Sequence, residues 1–149
     1  MAEDLPLVGT DACVLIEAIC AKEGHPSKLV LRAAASHVFC LVLFENAEDE
    51  ARRALETRGR LAELETLLTR CFVQRCPAPT PAEIKAAEPL LLPGIRHVND
   101  IPIALAVRII QPDAFISSND EHWKPSLARL LGGVPILTPR KFLQWLARR

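Results

Sequence analysis

The feature that most constrains the fold is the alternation of short apolar runs with longer segments of helical periodicity. The apolar runs predict strands at residues 5–9, 37–40, 72–75, 114–117 and 134–137. Strands that alternate with helices along the chain are typical of a mostly parallel sheet covered by helices. The sequence therefore predicts an α/β fold, a three-layer α/β/α sandwich with a mostly parallel sheet of four to five strands.

The helices are predicted from apolar spacing and from start signals. One covers residues 12–21, and a second is indicated by the spacing of Leu41, Phe44, Glu48, Ala51 and Leu55, with the polar set Asn46, Glu50 and Arg53 turned elsewhere. Further helices are predicted from a stripe over residues 61–71, from Thr80-Pro81-Ala82-Glu83, from Asn99-Asp100 and from Thr138-Pro139. Pro102 falls in the first turn of its helix, where its missing N–H has no helical partner.

Length and composition bound the remaining possibilities. The chain has 149 residues, half of them hydrophobic, which predicts a single domain over residues 1–149. Its formal net charge is zero, so no extended nucleic-acid surface is expected, although a small phosphate-binding site is compatible with this balance. The 5 cysteines follow no zinc spacing and are expected to be free thiols in a reducing cytoplasm. No signal peptide and no membrane span are predicted.

Four acidic residues occupy positions from which they can reach one edge of the predicted sheet. Asp11 and Asp120 follow predicted strands, Asp100 opens a helix, and Glu45 lies about one turn into another. Ligands of open α/β sheets sit outside the carboxyl ends of the strands. Crowded carboxylates repel one another without a counter-charge, and their oxygens suit Mg²⁺ or Mn²⁺. We therefore expect a divalent metal ion between these four carboxylates.

Each acid also has a simpler interpretation. Asp11 and Asp100 can be helix N-caps, Glu45 can be solvated, and Asp120 can initiate a turn. Other polar residues invite roles that their spacing does not support. These are His37, His97 and His122 as general bases, Arg96, Lys124 and Arg140 as phosphate contacts, and Trp123 as a stacking partner for a base. For the histidines and the basic residues we expect ordinary structural or solvated positions, and for Trp123 packing beneath the site.

The residues around the four acids resemble the motifs of the PIN domain family, in the form found in VapC toxins. The matching segments are residues 8–16, 43–45, 99–106, 115–123 and 134–143, which span nearly the whole chain in the expected order. The fourth motif is a hydroxyl residue, an acid two positions later and an aromatic residue three beyond, here Ser118, Asp120 and Trp123.

This resemblance implies a metal-dependent endoribonuclease that cleaves single-stranded RNA to leave a 3′-hydroxyl and a 5′-phosphate. It implies that Asp11, Glu45, Asp100 and Asp120 bind Mg²⁺ or Mn²⁺, with Ser118 and Asn119 as supporting polar groups. It further implies the toxin of a type II toxin–antitoxin pair, an antitoxin partner that blocks the acidic pocket, and a homodimer.

Two other functions remain open at this point. PIN-like domains also serve in RNA processing, and some bind without catalysis. A phosphoryl-accepting signalling domain would also gather acids and Mg²⁺ at strand ends. That second alternative lacks its acid pair, because Asp11 is followed by Ala12 and Cys13.

Overall fold

The computed structural model describes residues 4–149 of the chain. The strands are β1 (Leu7–Thr10), β2 (Cys40–Phe44), β3 (Phe72–Cys76), β4 (Ala114–Ile116) and β5 (Ile136–Leu137). The helices are α1 (Ala12–Cys20), α2 (Pro26–Ala35), α3 (Glu45–Thr57), α4 (Leu61–Thr69), α5 (Pro81–Leu91), α6 (Ile101–Ile110) and α7 (Pro139–Ala147). Short 3₁₀ helices also lie at Val98–Asp100 and Pro125–Arg129.

The five strands form one parallel sheet in the order β3-β2-β1-β4-β5. This arrangement confirms the predicted α/β fold and agrees with a PIN-like three-layer sandwich. From β1 the chain moves outward to β2 and β3, and then returns to the other side of β1 to add β4 and β5. The strand order therefore reverses between β1 and β4, and in open parallel sheets this is the point where ligands bind.

The central strands are buried on both faces, which explains their continuous apolar sequences. Every residue of β4 is buried, and so is β2 from Leu41 to Phe44. The aromatic core extends to the closing helix, where the rings of Phe39 and Phe142 meet edge to face with centroids 5.2 Å apart. None of the helices within residues 4–149 combines the length and the hydropathy that a membrane span requires.

Two local predictions differ from the structure. Leu41 and Phe44 were expected in a helix, but they belong to β2, which runs from Cys40 to Phe44. Their three-residue spacing reflects a strand buried on both sides, where an apolar run cannot be told from a helical stripe. Helix α2 was not predicted, although Pro26 at its first position is a recognised start signal.

Other local predictions are confirmed. Thr80 and Glu83 form the reciprocal capping box that begins α5, and Pro102 lies in the first turn of α6. All five cysteines, which lie within the described residues, are free thiols. Trp123 is buried, and its ring packs against Phe115 with centroids 4.8 Å apart.

We predict that Gly9→Ala lowers the free energy of unfolding by about 1–3 kcal/mol. A Cβ atom at residue 9 would lie 2.5 Å from Cε2 of Phe44, whose side chain is fully packed against the sheet. Urea denaturation measures the effect. In a Phe44→Leu background the same glycine substitution should cost much less, because the obstructing ring is gone. An equal cost in both backgrounds would contradict this explanation.

Candidate active site

A cavity of about 650 Å³ opens beside the switch point of the sheet. It is lined by Asp11, which directly follows β1, and by Asn119, three residues after the end of β4. Asp100 reaches the cavity from the segment that precedes α6. The cavity thus lies where parallel α/β sheets place their ligands, outside the carboxyl ends of the strands.

Asp11 is held in place by both of its carboxylate oxygens. Oδ1 accepts the backbone N–H of Val14 at 3.3 Å, so Asp11 is the N-cap of α1, and it also accepts the thiol of Cys13 at 2.7 Å. Oδ2 accepts a short hydrogen bond from the hydroxyl of Ser117, which follows β4. The Ser117 hydroxyl in turn accepts the backbone N–H of Asn119 at 3.0 Å. The carboxylate is therefore fixed by residues from both strands of the switch point.

Burial dominates the acidity of Asp11, which is only 6% exposed. Loss of hydration raises its pKa from 3.8 to about 6, because an apolar surrounding disfavours the charged form. The hydrogen bonds from Cys13, Ser117 and Val14 oppose this rise, and the negative charge of Asp100 adds to it. The two carboxyl groups are thus close enough to influence each other.

Asp100 is half-buried and lies against two histidines. Burial raises its pKa, while His122 and His97 partly lower it. Nδ1 of His122 lies 2.9 Å from the buried Oδ2 of Asp100, close enough to pair with it. Apart from this contact, Oδ2 has no polar partner among the described residues. The His97 and His122 rings are stacked with centroids 3.5 Å apart.

Helix α3 supplies another wall of the cavity. Asn46, Glu50 and Arg53 all line it, and their spacing of four and three residues places them on one helix face. Sequence periodicity had placed this polar set away from the apolar stripe of the helix, without assigning it to the site. Its position follows from packing, because α3 lies against α1 and directs this face toward Asp11.

Glu45 lies outside this cavity. It is the first residue of α3, it is exposed, and its carboxylate accepts the backbone N–H of Ala78 at 2.9 Å. It lines a smaller concavity of about 290 Å³ together with Glu48 and Arg75. Glu45 precedes Asn46 by one position, and a step of one residue rotates a side chain by roughly 100° around a helix. The structure therefore does not bring Glu45 together with Asp11.

Only some residues of the fourth motif line the cavity. Asp120 is exposed and does not line the cavity, whereas Asn119 does. Ser118 donates its hydroxyl to the Cys13 sulfur at 2.9 Å, and Ser117 rather than Ser118 contacts Asp11. The structure thus brings together two of the four acids, Asp11 and Asp100.

The donors present can be compared with the needs of a divalent metal ion. Within residues 4–149, no group of three His, Cys, Asp or Glu side chains is placed to hold a metal. Mg²⁺, however, commonly uses only one or two carboxylates and keeps several waters. The buried oxygen of Asp100, whose one polar contact among the described residues is Nδ1 of His122, and the nearby carboxylate of Asp11 suit such a largely hydrated ion. The site fits hydrated Mg²⁺ or Mn²⁺ and does not fit a metal fully enclosed by protein.

Several cavity residues were missed by sequence reasoning. Ser117, Glu50 and Arg53 carry no recognisable motif, and the two stacked histidines are separated by more than twenty residues in the chain. For His122, the position two residues after Asp120 was a usable signal, because the turn after a strand at the switch point faces the ligand site. The others depend on how helices pack, and no local pattern could have identified them.

We predict that Asp11 contributes a fall in the stability of the metal-free protein as the pH rises from about 4 to about 6, seen as the difference between the wild type and Asp11→Asn. In this window the folded state retains a proton on Asp11 that the unfolded chain has lost, so the free energy of unfolding decreases with pH. Asp11→Asn should flatten this decrease and raise the free energy of unfolding at pH 7 by about 1–3 kcal/mol. Urea denaturation with EDTA from pH 4 to 8 measures both effects.

Asp120→Asn is the matched control, because it makes the same chemical change at an exposed side chain. We expect its pH dependence to follow the wild type. An Asp11→Asn variant that retains the wild-type slope would show that this carboxyl is not the buried titrating group.

Comparison with known proteins informs the fold. No protein-family model matches the sequence, and no curated protein matches it. Among solved structures, the fold is similar to that of a chain in the crystal structure of VapBC2 from Rickettsia felis bound to a DNA fragment from their promoter. The two chains share 10% sequence identity with a TM-score of 0.61, over 89% of this chain and 98% of that chain. This likeness bears on the fold alone and agrees with the parallel α/β architecture described above.

Proposed function

We propose that this protein is a Mg²⁺- or Mn²⁺-dependent endoribonuclease that cleaves single-stranded RNA, and that it is the toxin of a type II toxin–antitoxin pair. The observation that carries the proposal is the meeting of Asp11 and Asp100 in one cavity at the switch point of the sheet. The fold shared with a chain of VapBC2 and the motif resemblance to VapC toxins support the same conclusion.

Asp11 and Asp100 are the side chains that would hold the metal ion. When bound, a divalent ion supplies Lewis-acid stabilisation of negative charge on a phosphoryl group. Asp11 presents its oxygens in a fixed orientation, because Ser117 and Val14 donate hydrogen bonds to it. Burial raises the pKa of Asp11, and repulsion from the charge of Asp100 adds to this rise. A bound cation would offset that repulsion. Glu45 and Asp120 lie outside the cavity, and we propose no direct contact with the ion for them.

Arg53 is the cavity residue best suited to contact the RNA backbone. It lines the cavity from α3 and is exposed, and its guanidinium forms no ion pair with the other described residues. Arginine presents a planar array of donors that matches the oxygens of a phosphate. Arg53 would therefore position a phosphate of the substrate, while the acids and their ion act on the scissile one.

The proposed toxin role implies a protein partner that inhibits the toxin, and a place in the cell where both act. An antitoxin that places a basic side chain in the cavity would pair with the carboxylates of Asp11 and Asp100 and displace the metal ion. We propose a cytoplasmic location and a homodimer on the same family resemblance. Size-exclusion chromatography with light scattering tests the dimer.

A second candidate is a PIN-like module that binds RNA without cleaving it. The observation that favours it is the small number of acids at the cavity, since only two of the four predicted ligands line it. The two candidates are separated by product analysis. RNA that is bound but remains intact with Mn²⁺ would support the binding module.

We predict that Asp100→Asn reduces metal-dependent cleavage of single-stranded RNA by about 100-fold or more. Substitution of a residue that only supports a metal ligand typically costs about 10- to 100-fold, and loss of a ligand itself should cost more. Asp11→Asn should have a similar effect. Mn²⁺ should raise the melting temperature of the wild type, because it binds the folded state preferentially, and each variant should show a smaller shift. Gel-based cleavage assays and thermal unfolding with and without Mn²⁺ measure these effects.

Glu45→Gln and Asp120→Asn are the matched controls for this experiment, because they neutralise acids outside the cavity. We expect both to retain most of the cleavage activity and of the Mn²⁺-induced shift. Wild-type cleavage by Asp100→Asn would remove Asp100 from the mechanism. A loss for Asp120→Asn equal to that for Asp100→Asn would show that the loop after β4 closes onto the ion.

We also predict that Arg53→Ala weakens binding of single-stranded RNA and makes it less sensitive to salt. Loss of one phosphate contact should reduce the slope of log K against log salt by about 0.7 for a single strand. Fluorescence anisotropy at several salt concentrations measures this slope. Arg58→Ala removes the same charge from the exposed end of α3, outside the cavity, and should leave the slope unchanged.

A further inference from the structure

The stacked histidines form a flat surface beside the two acids. The His97 and His122 rings are nearly parallel, at 14°, with their centroids 3.5 Å apart, and both line the cavity. One ring comes from the segment before α6 and the other from the turn after β4. Two planar rings at this distance resemble the spacing of stacked bases, so the pair is a surface that a further ring can extend.

The orientation of the His122 ring is fixed by its neighbours. Its backbone N–H is donated to Oδ1 of Asn119 at 3.3 Å, and its Nδ1 lies 2.9 Å from Oδ2 of Asp100. Trp123, the next residue, is buried against Phe115. These contacts fix the orientation of the His122 ring, and the His97 ring stacks on it.

The His97 ring has no comparable polar partner. It is exposed, and its side chain makes no hydrogen bond or ion pair with other residues between 4 and 149. Its neighbour Val98 is 68% exposed and also lines the cavity. An exposed aromatic ring and an apolar side chain at the mouth of a polar cavity together suit a ligand that has an aromatic face and a charged backbone.

We propose that His97 is the stacking platform for a nucleobase of the bound RNA, next to the phosphate that a cation would hold at the two acids. This inference rests on the proposed ribonuclease function and identifies how the site selects its substrate class. Single-stranded RNA presents unstacked bases that can pack on aromatic side chains, including histidine. The faces of bases within a duplex are already covered, so the platform favours single strands. The cavity volume of about 650 Å³ lies within the usual range for small-ligand sites.

The experiment measures binding of a short single-stranded RNA that contains 2-aminopurine, with Ca²⁺ supplied as the cation for the acids in place of Mn²⁺. Gel analysis of the recovered oligonucleotide checks that it is intact. His97→Leu keeps an apolar side chain against His122 but removes the aromatic face, and it should weaken binding about 5- to 150-fold. His97→Phe restores an aromatic face and should bind within about 3-fold of the wild type. This change in affinity is smaller than the loss of one stacking interaction would cause. Quenching of 2-aminopurine fluorescence should accompany binding by the wild type and by His97→Phe only.

A control separates stacking from structural support. His37 also stacks on an aromatic ring, that of Phe72 at 4.1 Å, but it lies outside the cavity. His37→Asn, which tolerates the positive φ of 63° at this residue, should leave RNA binding unchanged. The temperature of unfolding of each variant shows whether the fold is intact.

Several outcomes would overturn the stacking proposal. One is equal binding by His97→Leu and the wild type, and a second is equal weakening by His97→Leu and His97→Phe, which would indicate a role only in supporting His122. A third is a wild type that does not bind the oligonucleotide, or that binds the duplex as tightly as the single strand. The ribonuclease proposal would fail on a separate result. In that case the wild type would bind the single strand with quenching of 2-aminopurine but would leave the strand intact in Mn²⁺.

Discussion

The buried carboxylate of Asp11 is the interaction on which the rest of the site depends. It caps α1 through Val14, and it receives the hydroxyl of Ser117 from the adjacent strand. The backbone reinforces this connection, because the N–H of Asp11 donates to the carbonyl of Ile116 at 3.1 Å and so extends the pairing of β1 with β4. One side chain thus joins the start of a helix to both strands of the switch point, and it does so while facing the cavity.

This arrangement has an energetic cost that a functional site can explain. Burial raises the pKa of Asp11 to about 6, and the nearby charge of Asp100 contributes to the rise. Burial also raises the pKa of Asp100, although His122 and His97 partly lower it. Buried carboxylates resist ionisation unless a nearby opposite charge compensates for the lost hydration. A cation between the two carboxylates would relieve both penalties at once.

The cavity combines groups of different chemistry on separate elements. The carboxylates of Asp11 and Asp100 lie at the sheet edge, the guanidinium of Arg53 comes from α3, and the stacked His97 and His122 rings lie beside the acids. Such a division matches the parts of a nucleotide chain, whose phosphates need cations and whose bases need flat apolar surfaces. The zero net charge of the chain is no obstacle, because recognition of this kind uses a few groups in one cavity.

The amino-acid sequence by itself determined the order of the strands and of the helices other than α2, the capping box of α5 and the position of Asp11 at the end of a buried strand. These features depend on local apolar patterns and start signals. Only the tertiary structure decided which face of α3 meets the cavity. Packing against α1 directs Arg53 there and leaves Glu45 bonded to Ala78 outside it. It likewise brought together His97 and His122, since contacts between residues distant in the chain arise from packing and leave no local signature.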